Sequence, residues 1–210
     1  MNLDTSYENQ YIKSISKGFN EAQYEIEQIT VTRKDFFNAI LSQTETLRKK
    51  NGRLFFIGNG ASSAFANHMA LDWSKNGSIE SFSLSDSSLL TALANDFSYE
   101  DAFVEFMRIR GVCQRDLVVT VSSSGNSSNV ENVLRFCNKN GIRTFGLSGL
   151  KSSNKTRMLA TYSLYVPMKT YGIVECIHQI FLHLWLDKSM RIFEWDRDEI
   201  QNMNSKEFKL

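Results

Sequence analysis

The sequence predicts an α/β fold: a doubly wound, flavodoxin-like parallel sheet of five strands flanked by helices, with a helical extension at the N-terminus. Three observations carry that expectation. From residue 52 onward, short apolar runs alternate with helix-period stretches, the pattern of a parallel sheet covered on both faces. Two of the strand-to-helix turns are rich in Gly, Ser and Asn, as ligand-binding turns of such sheets are. Before residue 52, apolar side chains recur at helical rather than strand spacing.

Taken in order, the first helix is expected from Asn2 to about Gln28, where Ile12, Ile15, Phe19, Ala22, Ile26 and Ile29 recur at gaps of three and four. So narrow a seam suits a coiled-coil-like subunit contact, and equally an amphipathic helix packed on its own chain. A second helix carries Phe36, Phe37, Ile40, Leu41 and Leu47 and stops at Asn51-Gly52. Strands are expected at Arg53 to Ile57, Ile79 to Leu84, Leu117 to Val121, Thr144 to Leu147 and Tyr162 to Val166. Helices fall between them at about 62–75, 87–94, 99–111, 126–140 and 155–160, and a last one spans about 172–190. The tail, 191–210, is charged and only loosely periodic. Residues 1–51 therefore read as N-terminal helices that serve oligomerisation, 52–190 as the ligand-binding unit and 191–210 as a tail, all within one structural domain.

Composition agrees with a single core. The chain has 210 residues, and its 24 Lys plus Arg against 23 Asp plus Glu leave a formal charge of +1. No net field is present to hold nucleic acid or an anionic membrane. The start, Met1-Asn2-Leu3-Asp4, has no basic flank or apolar h-region, and the apolar stretch near Phe181 to Leu186 is far short of a membrane span. A cytoplasmic protein with neither nucleic-acid nor membrane partners is the expectation. Cys113, Cys137 and Cys176 form no C-x-x-C pair and are expected as small core residues.

Two turns suit an oxyanion. Ile57-Gly58-Asn59-Gly60-Ala61-Ser62-Ser63 follows the first expected strand, and Ser122-Ser123-Ser124-Gly125-Asn126-Ser127-Ser128 follows the third. Glycine permits close backbone approach, serines donate hydroxyls, and the helix that follows presents free N–H groups and a partial positive charge. The first turn lacks the third Gly of a dinucleotide fingerprint, and no Gly-Lys-Ser or Gly-Lys-Thr marks a nucleotide loop. Phosphate without nucleotide is the reading that remains. In the flavodoxin-like order the first and third strands flank the topological switch point, which brings both turns to one ligand. Caps and plain turns use the same residue types. Asn95-Asp96-Phe97, a polar break before the Tyr99 helix, is a third candidate contributor.

The three histidines, His68, His178 and His183, all lie in helical segments. His68 and Asp72, four apart, share a helix face and could ligate a metal or form an acid–base pair. Glu175, His178 and His183 share the last helix, where Glu175 and His183 stand roughly 12 Å apart along the axis. Those two converge only if both reach inward or if neighbouring subunits share them. A histidine such as His178, among Ile177, Ile180 and Phe181, more often serves as a hydrogen-bonded core residue.

Gly58-Asn59-Gly60-Ala61-Ser62, His68 with Asp72, Asn95-Asp96-Phe97, the Ser122 to Ser127 turn, and Glu175 with His178 and His183 together resemble the sugar-isomerase (SIS) domain family, and within it the phosphoheptose isomerases. The resemblance spans nearly the whole chain. It implies an aldose–ketose isomerase that converts sedoheptulose 7-phosphate to D-glycero-D-manno-heptose 7-phosphate through an enediolate, for bacterial surface-sugar synthesis, and that assembles as a homotetramer. It implies that Asn59, Ser62, Asp96, Ser122, Ser123, Ser124 and Ser127 bind the phosphorylated sugar. It further implies zinc on His68, Asp72, Glu175 and His183, with Asp72 or Glu175 as base and His183 as acid. Asp72 stands where the family has Glu, Glu175 where it has Gln, Asn76 where better-known members have Arg, and Gly172 where they have Asp. The same resemblance extends to an alternative, a non-catalytic SIS module that binds a phosphosugar or a protein, such as a replication-initiator-associating protein.

Overall fold

The computed structural model describes residues 5–192; the tail expected at 191–210 lies almost wholly outside the described residues. Eight helices and seven strands follow in the order α1 (Ser6–Asn20), β1 (Gln23–Ile26), β2 (Ile29–Val31), α2 (Arg33–Lys49), β3 (Leu54–Gly58), α3 (Ala61–Lys75), β4 (Ser81–Ser83), α4 (Ser87–Asp96), α5 (Ala102–Ile109), β5 (Leu117–Ser122), α6 (Ser128–Lys139), β6 (Arg143–Gly149), α7 (Lys155–Leu159), β7 (Tyr162–Val166) and α8 (Tyr171–Met190). They build one sheet of seven strands in the order β2-β1-β7-β6-β5-β3-β4.

Its parallel part, β4-β3-β5-β6-β7, has the expected flavodoxin-like order. Alternation along the strands divides the core in two. Leu54 and Phe56 of β3 face α2, α3 and α8, whereas Phe55 and Ile57 face α4, α5 and α6, so both sheet faces are covered. Order reverses between β3 and β5, and the two Gly- and Ser-rich turns leave the carboxyl ends of those neighbouring strands.

The sheet has seven strands, not five, because the helix expected to about Gln28 ends at Asn20. Ile26 and Ile29, read as helical, flank a two-residue hairpin turn in which Glu27 (φ 49°) and Gln28 (φ 67°) both adopt positive φ. Such turns normally advertise themselves with Asn-Gly or Asp-Gly, and this one does not. The hairpin forms on a template: β1 pairs antiparallel with β7, Tyr24 opposite Leu164, and Glu27 N–H donates to the Thr161 carbonyl at 2.7 Å. Arg157 clamps it from α7, donating to Glu25 at 2.6 Å and to Gln23 at 2.9 Å. Edge β7 is thereby covered rather than left open to another chain.

The row that α1 buries also differs from the expected seam. Tyr11, Ile15 and Phe19 pack on the core, Gly18 is buried with room for no Cβ beside Ile177 and Met168, and Ile12 is exposed. The helix docks on α8 of its own chain, with Phe19 stacked on Phe181 at 4.7 Å between ring centroids. Among the cysteines only Cys137 is a core residue; Cys113 and Cys176 are exposed. No helix among the described residues is long and apolar enough to cross a membrane.

Candidate active site

The first turn exists because β3 and α3 approach too closely for a side chain. A Cβ on Gly58 would lie 2.7 Å from the Ser62 backbone, and Gly60 turns the chain at φ 56° into the helix. Asn59, between them, is fixed from two sides. It exchanges amide hydrogen bonds with the buried Asn129 of α6, at 2.8 and 3.1 Å, and its Oδ1 accepts from the Tyr99 hydroxyl at 2.8 Å. Neither Asn129 nor Tyr99 was legible as a site residue; the one hint is that Asn129 lies in the first turn of the helix that follows the serine turn.

The second turn is held equally firmly. Gly125 takes φ 67° with a would-be Cβ 2.2 Å from Asn154, which is itself fully buried and caps α7 by accepting from Arg157 N–H. Gly125 carbonyl accepts from Thr156 N–H at 2.9 Å, and Ser123 carbonyl from Gly149 N–H at 3.0 Å. Ser124 Oγ accepts from Asn126 N–H at 3.3 Å, and two other hydroxyls are left over. Ser127 is the N-cap residue of α6 yet makes no side-chain capping bond, and Ser123 Oγ is buried without a hydrogen-bond partner among the described residues. Capping therefore does not account for Ser123 and Ser127. An unpaired buried hydroxyl is costly unless something else satisfies it.

Asn59, Ser62, Ser122, Ser123, Ser124 and Ser127 line one cavity of about 150 Å³, closed by Val121 and by Tyr171 and Glu175 of α8. The expected set converges, with one exception. Asp96 does not line the cavity; α4 continues through it, and its carboxylate accepts from Asn95 at 3.0 Å. Tyr99, three residues on, is what reaches Asn59 from that segment. Hydroxyls, amide donors and the N-terminus of α6 suit a phosphate. The Glu175 carboxylate repels one, so it must face the uncharged part of any ligand whose phosphate sits among the serines.

A second cluster lies farther along the same pair of helices. Ser62, Phe65, His68 and Asp72 follow one another on α3, as Glu175, Gln179, His183 and Asp187 do on α8, at the three- and four-residue spacings that keep them on one face. His68 Nε2 is 3.2 Å and His183 Nδ1 4.0 Å from Asp72 Oδ2, and the two rings meet edge to face at 5.1 Å. Ligand atoms of these three residues lie within 4.8 Å of one another. Tetrahedral zinc with bonds of about 2.0–2.2 Å spaces its ligands roughly 3.4 Å apart, so the imidazole and carboxylate donors fit such an ion. Glu175, also expected as a ligand, is not in this cluster but opens into the serine cavity. His183 and Gln179 border a groove of about 600 Å³ with Phe65, Cys176, Ile180, Leu184 and Asp187. Burial raises the pKa of Asp187, with the negative Asp72 adding to it and His183 opposing.

His178 stands apart from both groups. It is fully buried, its Nε2 contacts the Ser148 carbonyl at 3.1 Å, and burial pushes its pKa down to about 4. That is the hydrogen-bonded core histidine the apolar neighbours suggested.

Comparison with known proteins agrees with the geometry. The chain is 32% identical over 155 residues to the phosphoheptose isomerase of Helicobacter pylori strain Shi470, covering 71% of this chain and 79% of that protein. To the phosphoheptose isomerase of Pelobacter propionicus it is 35% identical over 152 residues, covering 68% and 77%. The solved phosphoheptose isomerase of Neisseria gonorrhoeae superposes with a TM-score of 0.75 at 22% identity, over 88% of this chain and 96% of that one. No protein-family model matches the chain.

Proposed function

Because this chain belongs to the phosphoheptose isomerase family, we propose that it is an aldose–ketose isomerase acting on sedoheptulose 7-phosphate to give D-glycero-D-manno-heptose 7-phosphate. One observation carries the reading beyond kinship: the hydroxyl-lined cavity and the imidazole–carboxylate cluster lie along the same face of α3 and α8. A ketose phosphate needs both, an anion cradle at one end and proton-transfer groups at the other.

In this reading Asn59, Ser62, Ser122, Ser123, Ser124 and Ser127 hold the phosphate and nearby hydroxyls. Binding energy collected there orients the sugar for chemistry at its far end. A carboxylate removes a proton from C1 of the open-chain ketose and returns it to C2, while an acid supplies a proton to the C2 oxygen and recovers one from the C1 hydroxyl as that becomes the aldehyde. We assign the carboxylate role to Glu175, the α8 residue of the cavity wall nearer in sequence to the second cluster, and the acid role to His183, which requires the sugar to run along α8 from the serines toward that cluster with C1 and C2 between the two side chains. Asp72, against two imidazoles, holds His68 and His183 in place. Zinc, held by His68, Asp72 and His183, would polarise the carbonyl oxygen when bound, in place of the proton that His183 supplies without it.

Turnover of sedoheptulose 7-phosphate by the purified protein tests the activity, and E175Q, D72N and H183N test the roles. E175Q and H183N are expected to abolish turnover while retaining phosphosugar binding. Loss in D72N with activity kept in E175Q moves the base to Asp72. Saturable phosphosugar binding without turnover or metal uptake assigns the chain to the regulatory SIS modules instead.

The same reading places the protein in the cytoplasm, in the synthesis of lipopolysaccharide or capsule sugars. A homotetramer is its proposed assembly, supported by Ile12, Leu71 and Ile180, which are exposed apolar residues on α1, α3 and α8. Light scattering of the purified protein checks the oligomeric state.

A further inference from the structure

We propose that Gln179 is a positioning residue for His183: it engages ring nitrogen Nε2 and so leaves Nδ1 as the one nitrogen of that ring available to Asp72, His68 and whatever they hold. The proposal rests on the reading of this cluster as the metal and proton-transfer group.

Gln179 precedes His183 by one turn of α8, and its terminal amide nitrogen lies 2.8 Å from His183 Nε2. Nδ1, on the other side of the ring, is the atom that lies 4.0 Å from Asp72 Oδ2. A neutral imidazole has a proton on one nitrogen and a lone pair on the other, and a primary amide offers both a donor and an acceptor. With its N–H toward the ring, the amide requires a lone pair on Nε2 and hence a proton on Nδ1. Rotated by half a turn, it accepts from Nε2–H and leaves the lone pair on Nδ1. Nε2 is committed to Gln179 in either case. His183 therefore acts through Nδ1: in the first form Nδ1–H is a hydrogen-bond donor, and in the second the neutral ring ligates a cation or the imidazolium gives a proton. The second form matches the general pattern in which a metal-bound histidine donates its other N–H to an oxygen acceptor.

An independent observation argues that this amide is not present for packing. Gln179 borders a groove with Phe65, Ile180 and Leu184, its amide nitrogen also meets Met69 Sδ at 3.8 Å, and its Oε1 is buried without a hydrogen-bond partner among the described residues. A leucine of similar size would leave no buried acceptor unmet and would serve folding as well or better. What the amide contributes is direction.

Ring-nitrogen chemical shifts of His183, assigned by their loss in H183N, and calorimetric titration with zinc chloride test the proposal in the wild type, Q179L and Q179E. In the wild type one ring form with a hydrogen-bonded Nε2 is expected. Q179L is expected to give averaged ring shifts and zinc binding weakened about 10- to 100-fold, with no loss of thermal stability. Q179E, whose carboxylate accepts from Nε2–H, is expected to restore a single ring form and zinc affinity. Unchanged shifts and affinity in Q179L, or equal weakening in Q179L and Q179E, overturn the proposal. Failure of the wild type to take up zinc removes the metal reading alone; the ring shifts then decide whether Gln179 positions His183.

Discussion

Strands β3 and β5 lie side by side, and their two ends have opposite characters. At the amino ends Asp116 is fully buried and completely satisfied: Arg53 donates from its backbone at 2.9 Å and from its guanidinium at 2.8 and 3.2 Å, and Cys113 N–H donates at 3.0 Å. At the carboxyl ends Ser123 Oγ is buried and unpaired, and the Ser127 hydroxyl declines the cap it could make. One end spends its polar groups on folding; the other keeps them for a ligand. The difference teaches where substitutions will act: stability should respond at the amino ends, and substrate affinity at the carboxyl ends.

The largest expected effect breaks the amino end. D116A removes the shared acceptor of the Arg53 and Cys113 backbone N–H groups and of the half-buried Arg53 guanidinium, and is expected to cost about 3–5 kcal/mol in chemical denaturation, with kcat/KM of the folded protein unchanged. A comparable loss of activity in the folded fraction would mean that the two ends are not separable.

Acid acts next, through the core histidine. The folded-state pKa of His178 is depressed to about 4, so between its ordinary value and 4 the unfolded chain takes up the proton and the folded one does not. Stability from this group is complete above pH 6.5 and falls as pH drops through that window, by about 3 kcal/mol in all. Burial would raise the pKa of Asp116, but the Arg53 side chain and the backbone donors hold it below the ordinary carboxylate value. Its contribution is present above that value and lost only at lower pH. Denaturation midpoints of wild type and H178Q from pH 7 to 4.5 should diverge in slope, with the variant flatter; parallel slopes would remove His178 as the cause.

Smaller effects belong to the serines. S122A and S124A are each expected to raise KM for the sugar phosphate about 10- to 100-fold, the worth of one hydrogen bond to a charged group, with stability changed by less than about 1 kcal/mol. Denaturation and steady-state kinetics on the same preparations check both halves. Smallest is E25Q, which weakens the Arg157 clamp on the β1–β2 hairpin and should cost about 1 kcal/mol, read as faster amide exchange at Tyr24 and Ile26.

The five strands of the parallel sheet were legible in the sequence, because continuous apolar runs bounded by Gly and Ser mark buried strands and their order follows from the fold class, whereas the Arg53–Asp116 pair at their amino ends joins residues 63 apart and was not. The six cradle residues converge for the same reason. The hairpin at 23–31 was not legible, since Glu27 and Gln28 carry no turn signature and the pairing partner, β7, is more than a hundred residues away. Nor could spacing alone divide Glu175 from His183. Two turns of α8 separate a residue that opens into the cradle from one that meets Asp72, and only the packing of α8 on α3 shows which does which. Asn129, Tyr99 and Gln179 act through partners distant in sequence or through a local amide, and no motif announces them.

The central claim is that a phosphorylated ketose held by the serine turns loses and regains a carbon-bound proton beside Glu175 and His183. Proton NMR of sedoheptulose 7-phosphate incubated with the protein in deuterium oxide tests it most directly. The expected result is aldoheptose 7-phosphate carrying deuterium at C2, formed by the wild type and not by E175Q. Saturable binding of the ketose with every carbon-bound proton retained and no aldose formed would contradict it.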